Sequence, residues 1–486
     1  MSSSIYYTPP VRFTLPEGSD ATPENIHKAV QELESRKARY EQLHNYYIGN
    51  QAILNRELSS ETAKNNKLVN NFASYIADIS ANYLLGNPVD YLAPDGMDID
   101  DILNRYAEQS MSDIDAGLAL DAAIYGVAYD LTFTDENSEA NTVQIDPRNT
   151  LMVYDDSVQH RELFAINCAQ VKDKDGRKIN KVTAYTANKI VTMTLDADGA
   201  TLEKPAEQPH FFGKVPVTEY ANNKSYLGSF EPVMGLIDAY NTIQSDRVNE
   251  REEIADAILV LKNFTLDEKR QANLRDLRLL TSVPADGDAY YLTKGQSESD
   301  ADILKQSIAD DIHKFSKTPN LSDQNFVGNS SGVALNYKLL AFEEEAKTHE
   351  RYIEKGLKKR MTLYFNLANN LKQGAGGKTE KEISRIDVVF NRNLPKNDYE
   401  TSQMITNLQG IVKDEYLVKQ LSFVDNAEKA LEETEPDEYP EQYGTLTEQE
   451  IAADTEAKLA EAEKADADAA EAAGKTWNPN TNQYEE

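Results

Sequence analysis

Residues 326–338, FVGNSSGVALNYK, set a glycine- and serine-rich loop directly before a charged helical pattern that runs to about residue 371. A helix over 332–371 is roughly 60 Å long. An element of that length sets the scale of anything this chain folds into. Glycine–serine loops before helices usually signal a phosphate cradle or a catalytic turn. The chemistry of this junction therefore separates an enzyme from a piece of machinery.

The chain has 486 residues, of which 40% are hydrophobic and 27% charged, the balance of a folded rather than a disordered protein. That length suits about two to four domains. No apolar run approaches the roughly 18 residues of a membrane span. The first twenty residues hold neither a basic stretch nor an apolar core, so no secretory signal is expected. Cys168 is the single cysteine, which excludes an intrachain disulfide and a cysteine-ligated zinc cluster. It reads as a small apolar residue in a strand. Fifty Lys and Arg stand against 82 Asp and Glu, a net charge of −32. A tight, general grip on nucleic acid needs cations to displace phosphate counterions, and this balance disfavours it. An acidic surface still lets DNA pass nearby without sticking.

Residues 1–23 read as a loose Pro/Ser-rich arm. Helical spacing follows over 23–48, over 65–85 up to the stop signal Gly86-Asn87-Pro88, and over 99–125. The acidic residues Asp95, Asp98, Asp100 and Asp101 lack full EF-hand spacing and suit helix capping. From 127 to 217 the texture becomes short alternating strands with turns at Asp175-Gly176 and Asp198-Gly199. One long helix is expected over 231–262. A compact insertion at 264–296 follows, with a short helix near 267–274 and strands LRLLTSV and AYYLTKG. Helix returns at 299–315, and the polar loop SKTPNLSDQNFVGNSS leads into the 332–371 helix. One strand is expected in EISRIDVVFNRNLP, then helices at 398–410, 414–421 and near 425–432. The last segment opens on a capping box, Thr445-Leu446-Thr447-Glu448, and continues as a solvated Ala/Glu-rich tail ending near the single tryptophan, Trp477. Trp477 reads either as a docking anchor or as part of a floppy terminus. The fold class is α+β, mainly helical.

The loop fails each chemical test. Gly328-Asn329-Ser330-Ser331-Gly332 matches G-x-S-x-G, but a nucleophile elbow needs a buried strand before it, and SKTPNLSDQNF is polar and carries a proline. A general base at the right distance is missing, since His349 follows too closely, on the same helix several turns on. A Walker loop needs Gly-Lys-[Ser/Thr], whereas Val333 follows Gly332 and Lys338 lies six residues beyond it. The six histidines are scattered without metal spacing. No catalytic residue, metal ligand or cofactor is expected. What remains is mechanical: Gly328 and Gly332 free the backbone, Asn329, Ser330 and Ser331 bond to backbone or passing phosphates, and the helix stays rigid. The bland alternative is an inter-helix loop in which Ser331 caps the helix.

Several segments, in this order and spacing, resemble the portal proteins of tailed phages of the Gram-positive siphophage type. They are Tyr46-Tyr47-Ile48-Gly49, NNKLVNNFASYIADISANYLLGNPV (65–89), AAIYGVAYDL (122–131), IDPRNTLMVYDDS (145–157), GNSSGVALNYKLLAFEEEA (328–346) and LPKNDYETSQMITNLQGIVKDEYLVKQLSFVDNAEKALEE (394–433). The resemblance covers about residues 40–435.

It implies a cyclic ring, usually a dodecamer, at one capsid vertex of the virion. Double-stranded DNA is pumped through it without sequence preference by a separate terminase large subunit, and later leaves by it. Further implied partners are the head–tail adaptor and the major capsid and scaffolding proteins, with no membrane. The implied parts are an N-terminal arm and helix (1–40), a wing (41–230), stem helices (231–262 and 299–315), a clip (263–298), a tunnel loop (316–332), a long wing helix and strand (333–393), a crown (394–440) and the acidic tail (441–486). The DNA-facing candidates are Asn325, Phe326, Val327, Gly328, Asn329, Ser330, Ser331 and Gly332. Lys305, Lys314, Lys317 and Lys338 are candidate channel cations, and a solvated helix-face charge is the competing account of each. Asp267, Arg270, Asp286, Gly287 and Tyr290 are candidate partner contacts on the clip. Two other classes compete: a serine hydrolase using Ser330, and a helical scaffold that forms no ring.

Overall fold

The computed structural model describes residues 12–58, 63–94, 96–172, 178–195, 205–255, 258–263, 265, 287–292, 298–321, 332–372, 380–392, 398–418, 421, 424, 476–478 and 483–485. It comprises two units, residues 1–394 and 395–486.

The first unit opens with a correction. Residues 1–23 are not all a loose arm, because β1 (Phe13–Leu15) pairs in parallel with β5 (Thr150–Asp155). Helix α1 (Pro23–Tyr47) starts at Thr22, whose hydroxyl accepts the Asn25 N–H, with proline at its first position. It runs unbroken through the expected 40/41 domain boundary.

Helix α2 (Phe72–Leu85) begins seven residues later than spacing suggested. Residues 65–71 lie outside any helix and bond instead to side chains of the helix over 234–255. The expected helix over 99–125 is two: α3 (Asp100–Glu108) and α4 (Met111–Tyr125), broken at Ser110, whose φ of 50° is left-handed. The N-cap position is Ile99, with no side-chain cap; of the expected capping cluster, the Asp98 carboxylate accepts the Asp100 N–H at 2.9 Å, and Asp95 lies outside the described residues. Gly126, at φ +83°, ends α4; a Cβ there would sit 2.0 Å from the Tyr226 carbonyl oxygen.

The strand-rich region forms two sheets. β3 (Val127–Thr134) pairs with β4 (Ala140–Ile145) and with β10 (Val217–Ala221). The larger sheet has the order β1-β5-β6-β7-β8-β9, with β6 (Glu162–Lys172), β7 (Lys178–Tyr185), β8 (Lys189–Leu195) and β9 (Ala206–Pro209) antiparallel throughout. Ile26, Ala29 and Leu33 of α1 cover its inner face, against Val153, Phe164, Ile166 and Val182. Cys168 lies on β6 as expected, and burial pushes its thiol up to about 12.

The helix expected over 231–262 is shorter. After a 3-10 turn at Glu231–Val233, α5 (Met234–Ala255) ends, and Ile258–Lys262 form β11, paired antiparallel with β12 (Asp288–Leu292). The ILVLK run satisfies its backbone in a hairpin rather than a helix, so the insertion begins at 258. Helix α6 (Glu298–Ser316) and the 41-residue α7 (Gly332–Lys372) fall where spacing placed them. After α8 (Glu380–Ile383), β13 (Asp387–Val389) is the one strand expected there, and it pairs with β2 (Asp90–Leu92).

In the second unit α9 (Asp398–Leu408) and α10 (Asp414–Val418) match their expected starts. Thr476–Asn478 pairs antiparallel with Gln483–Glu485, with Trp477 opposite Tyr484, where a floppy terminus was one reading. The strand LRLLTSV, the helices near 267–274 and 425–432, the capping box at 445–448 and the body of the acidic tail lie outside the described residues.

Candidate functional site

Helices α5 and α6 pack side by side and are joined through the β11–β12 hairpin. Their upper ends enter the main core, where Ile237 and Ile312 are fully buried with Val233 and Ile76. Farther along, Arg247 pairs with Asp302 at 2.9 Å and ties the two helices. Ile303 and Leu304 of α6 stay exposed, at 66% and 51%. Two adjacent large apolar side chains on an otherwise acidic helix form an unburied patch.

The opposite face of α5 explains the late start of α2. Asn241, Ser245 and Asn249 recur every four residues and are all buried. Their side-chain oxygens accept the backbone N–H groups of Asn70, Leu68 and Asn66, at 2.7, 2.9 and 2.8 Å. Four helical residues rise about 6 Å, and two extended residues rise about 6.6 Å, so the two repeats match. Segment 65–71 is thus a strap paired to helix side chains in place of a neighbouring strand. Gln51, fully buried, locks its end: it donates to Asn71 Oδ1 at 2.9 Å and accepts from the Asn241 amide at 2.6 Å. Asn71 then caps α2 by accepting the Ser74 N–H. Arg56 closes the other end on Asp246 at 2.7 Å. Polar residues repeating at four-residue spacing inside a helical stripe were the available signal for this strap.

Helix α6 ends in a left-handed Lys317 (φ 59°). The His313 ring bonds the Thr318 carbonyl at 3.0 Å, and Thr318 is 1% exposed. The Tyr75 hydroxyl of α2 donates to the Pro319 carbonyl at 2.9 Å and accepts the Leu321 N–H at 3.0 Å. The Lys317 ammonium pairs with Glu345 of α7, and Glu345 lies 3.5 Å from the buried His349. The neighbouring His349 ring, then the Lys317 ammonium, hold the Glu345 carboxylate down to about 2. Ser80, Ser229, Ser316, Glu345 and His349 line a polar cavity of about 20 Å³ there, room for one water. The root of the loop is therefore fixed to both α2 and α7.

Of the candidate channel cations, Lys317 is committed to Glu345, and Lys305 lies 3.9 Å from Asp302. Lys314 sits 5.5 Å over the Phe315 ring, and Lys338 is exposed on α7. The loop candidates Asn325, Phe326, Val327, Gly328, Asn329, Ser330 and Ser331 lie outside the described residues. Gly332 is the first residue of α7. On the insertion, Asp267, Arg270 and Asp286 lie outside the described residues, whereas Gly287 precedes β12 and Tyr290 on it is exposed, opposite Val260. His349, the first histidine after Ser330, is turned into the frame against Glu345.

A second polar centre was not legible. Arg360 of α7, fully buried, pairs with Asp115 of α4 at 2.7 Å and Asp130 of β3 at 3.3 Å. Tyr220 of β10 donates to the same Asp130 at 2.6 Å. Burial raises both aspartates above the usual carboxylate range, against the pull of the Arg360 charge. Around it α7 packs so closely on β10 that a Cβ on Gly356 would meet the Tyr220 ring at 2.3 Å. Among the described residues no cluster of His, Cys, Asp or Glu could hold a metal ion, and no helix is long and apolar enough to cross a membrane.

A helix pair joined through an antiparallel strand pair, strapped on one face and braced to a long helix by the Lys317–Glu345 pair, defines a frame that holds segments in place. That is the class of a structural component. The family model described as phage portal protein, SPP1 Gp6-like, matches residues 26–468, and the chain belongs to this portal-protein family. It is 24% identical over 414 residues to the portal protein of Bacillus phage SPP1, covering 81% of each chain. It is 22% identical over 440 residues to the portal protein of Clostridium phage phiCD119, covering 84% of this chain and 94% of that one.

Proposed function

We propose that copies of this chain close into a ring, usually of dodecamer size, at one capsid vertex. Double-stranded DNA passes through its axial channel, driven inward by a separate terminase motor and released outward at ejection. The hairpin end of the α5–α6 pair meets the motor and then the head–tail adaptor, and segment 317–331 reaches toward the DNA. One observation carries this reading: the portal-family match runs through the whole frame, including the helix–hairpin–helix and the loop before α7.

Physical chemistry supports it. Each chain carries −32, and a conduit for a moving polyanion must not grip it. Like-charged copies repel, so cohesion needs apolar contact. Ile303 and Leu304, exposed on α6, supply such a surface. The candidate lysines at 305 and 317 already face carboxylates, which suits passage without sequence preference better than tight phosphate binding.

Deleting residues 325–331 tests the loop assignment. Rings should form normally while packaged DNA per capsid falls. Normal packaging by the shortened protein would remove the loop from the mechanism.

A further inference from the structure

We infer that Tyr75 is a positioning residue for the DNA-facing loop, acting from helix α2 through one hydroxyl that makes two backbone hydrogen bonds. The inference rests on reading 317–331 as the channel loop. It goes beyond that reading by placing the loop's support outside the loop and outside the stem.

The geometry is specific. The Tyr75 oxygen donates to the Pro319 carbonyl at 2.9 Å and accepts the Leu321 N–H at 3.0 Å. One phenol thus uses its donor and one acceptor site on two backbone groups two residues apart. These are the last groups described before segment 322–331. The Tyr75 ring stands edge-on to His313, 5.8 Å between centroids, and His313 also meets Phe72 edge-on at 5.8 Å. Phe72 stands edge-on to Tyr240 of α5 at 5.0 Å. The hydroxyl is therefore aimed by an aromatic stack spanning α2, α5 and α6 rather than by the loop.

The return side is mounted on the same helix. Tyr83, two turns farther along α2, packs its ring on Phe342 of α7 at 4.5 Å between centroids and donates to Glu343. Between them Ile76 and Ala77 are fully buried in the main core. One rigid helix thus holds the chain on both sides of the loop. The Lys317–Glu345 pair bridges the two sides directly. A force applied to the loop by moving DNA enters the core through α2.

Tyr75→Phe removes both bonds and keeps the ring stack. In the full-length portal we expect unchanged subunit count and unchanged exchange of the α6 amides. The Leu321 amide should exchange about ten-fold faster, the order set by losing one net hydrogen bond. In capsids assembled with terminase, packaged DNA should fall at least several-fold. Lys317→Gly, which relieves the left-handed strain while cutting the brace to Glu345, should lower packaging without freeing the Leu321 amide. Deletion of residues 325–331 is run beside them. If that deletion leaves packaging intact, the channel-loop reading itself fails. If the deletion impairs packaging but Tyr75→Phe packages within two-fold of the parent, only the present inference is overturned. Loss of the ring in Tyr75→Phe would make Tyr75 a core residue and also overturn it.

Discussion

The backbone N–H of Asn70 donates to the side-chain oxygen of Asn241 at 2.7 Å, joining an extended segment to the buried face of a helix 171 residues away. Asn241 is fully buried and also donates to Gln51. Asn241→Leu would leave the part-buried Asn70 N–H and the fully buried Gln51 carbonyl without their partner. It should cost about 2–4 kcal/mol, from one to two unsatisfied buried groups. Urea denaturation of the purified protein reads this as a lower midpoint, and an unchanged midpoint would show the strap contributes nothing.

Arg360 pairs with two aspartates in the core. Arg360→Met should cost about 3–5 kcal/mol, because Asp115 and Asp130 are left buried without a cation. The loss should depend on pH. Burial raises both aspartates in the folded state, so the folded chain favours their protonated forms and stability falls as pH rises through the raised values. Without Arg360 they rise further, so the deficit against the parent should shrink as pH is lowered from 8 toward 5. A deficit that is constant or grows toward acid would contradict the clamp.

Gly356 is where α7 meets the Tyr220 ring. Alanine would add roughly 1 kcal/mol of helix propensity, yet its Cβ would come within 2.3 Å of the ring. Tyr220 is held by Asp130 and cannot swing aside cheaply. Gly356→Ala should therefore be net destabilising, by about 1–3 kcal/mol from overpacking, read by thermal or chemical unfolding. A neutral or stabilised variant would mean that α7 can shift on β10.

Glu345 is held down to about 2 against an ordinary value of 4.5. A depressed carboxylate gives stability that is complete above its unfolded value and is lost as pH falls through the folded one. The loop root should therefore loosen between about pH 4.5 and 2, with faster exchange of the Lys317 amide, which bonds the Lys314 carbonyl. Glu345→Gln should show loosening already at neutral pH and a flatter acid response. Identical acid profiles for the two proteins would contradict this account.

What was legible in the sequence was local. The helix at Gly332–Lys372, the helix at Glu298–Ser316 and the single strand Asp387–Val389 follow from spacing and stop signals. What was not legible depended on distant partners. Residues 65–71 continue a helical spacing of apolar residues into α2, and only the amide ladder of α5 makes them extended. The ILVLK run is equally apolar as helix or strand. Its partner strand, from Asp288 onward, decides it. Phe13–Leu15 is a strand only because β5 offers an edge. Nothing in the local sequence marks Arg360, since its partner Asp130 stands 230 residues away. The loop candidates are marked by their glycines, whereas nothing in the local sequence of α2 shows that the Tyr75 hydroxyl bonds Pro319 and Leu321.

The central claim is a closed ring around a channel. Single-particle electron microscopy of the full-length protein, purified and in assembled capsids, tests it most directly. The account predicts rotationally symmetric rings with an axial opening, one per capsid, and their loss when Ile303 and Leu304 are both replaced by aspartate. Monomers or open filaments in both preparations would contradict it.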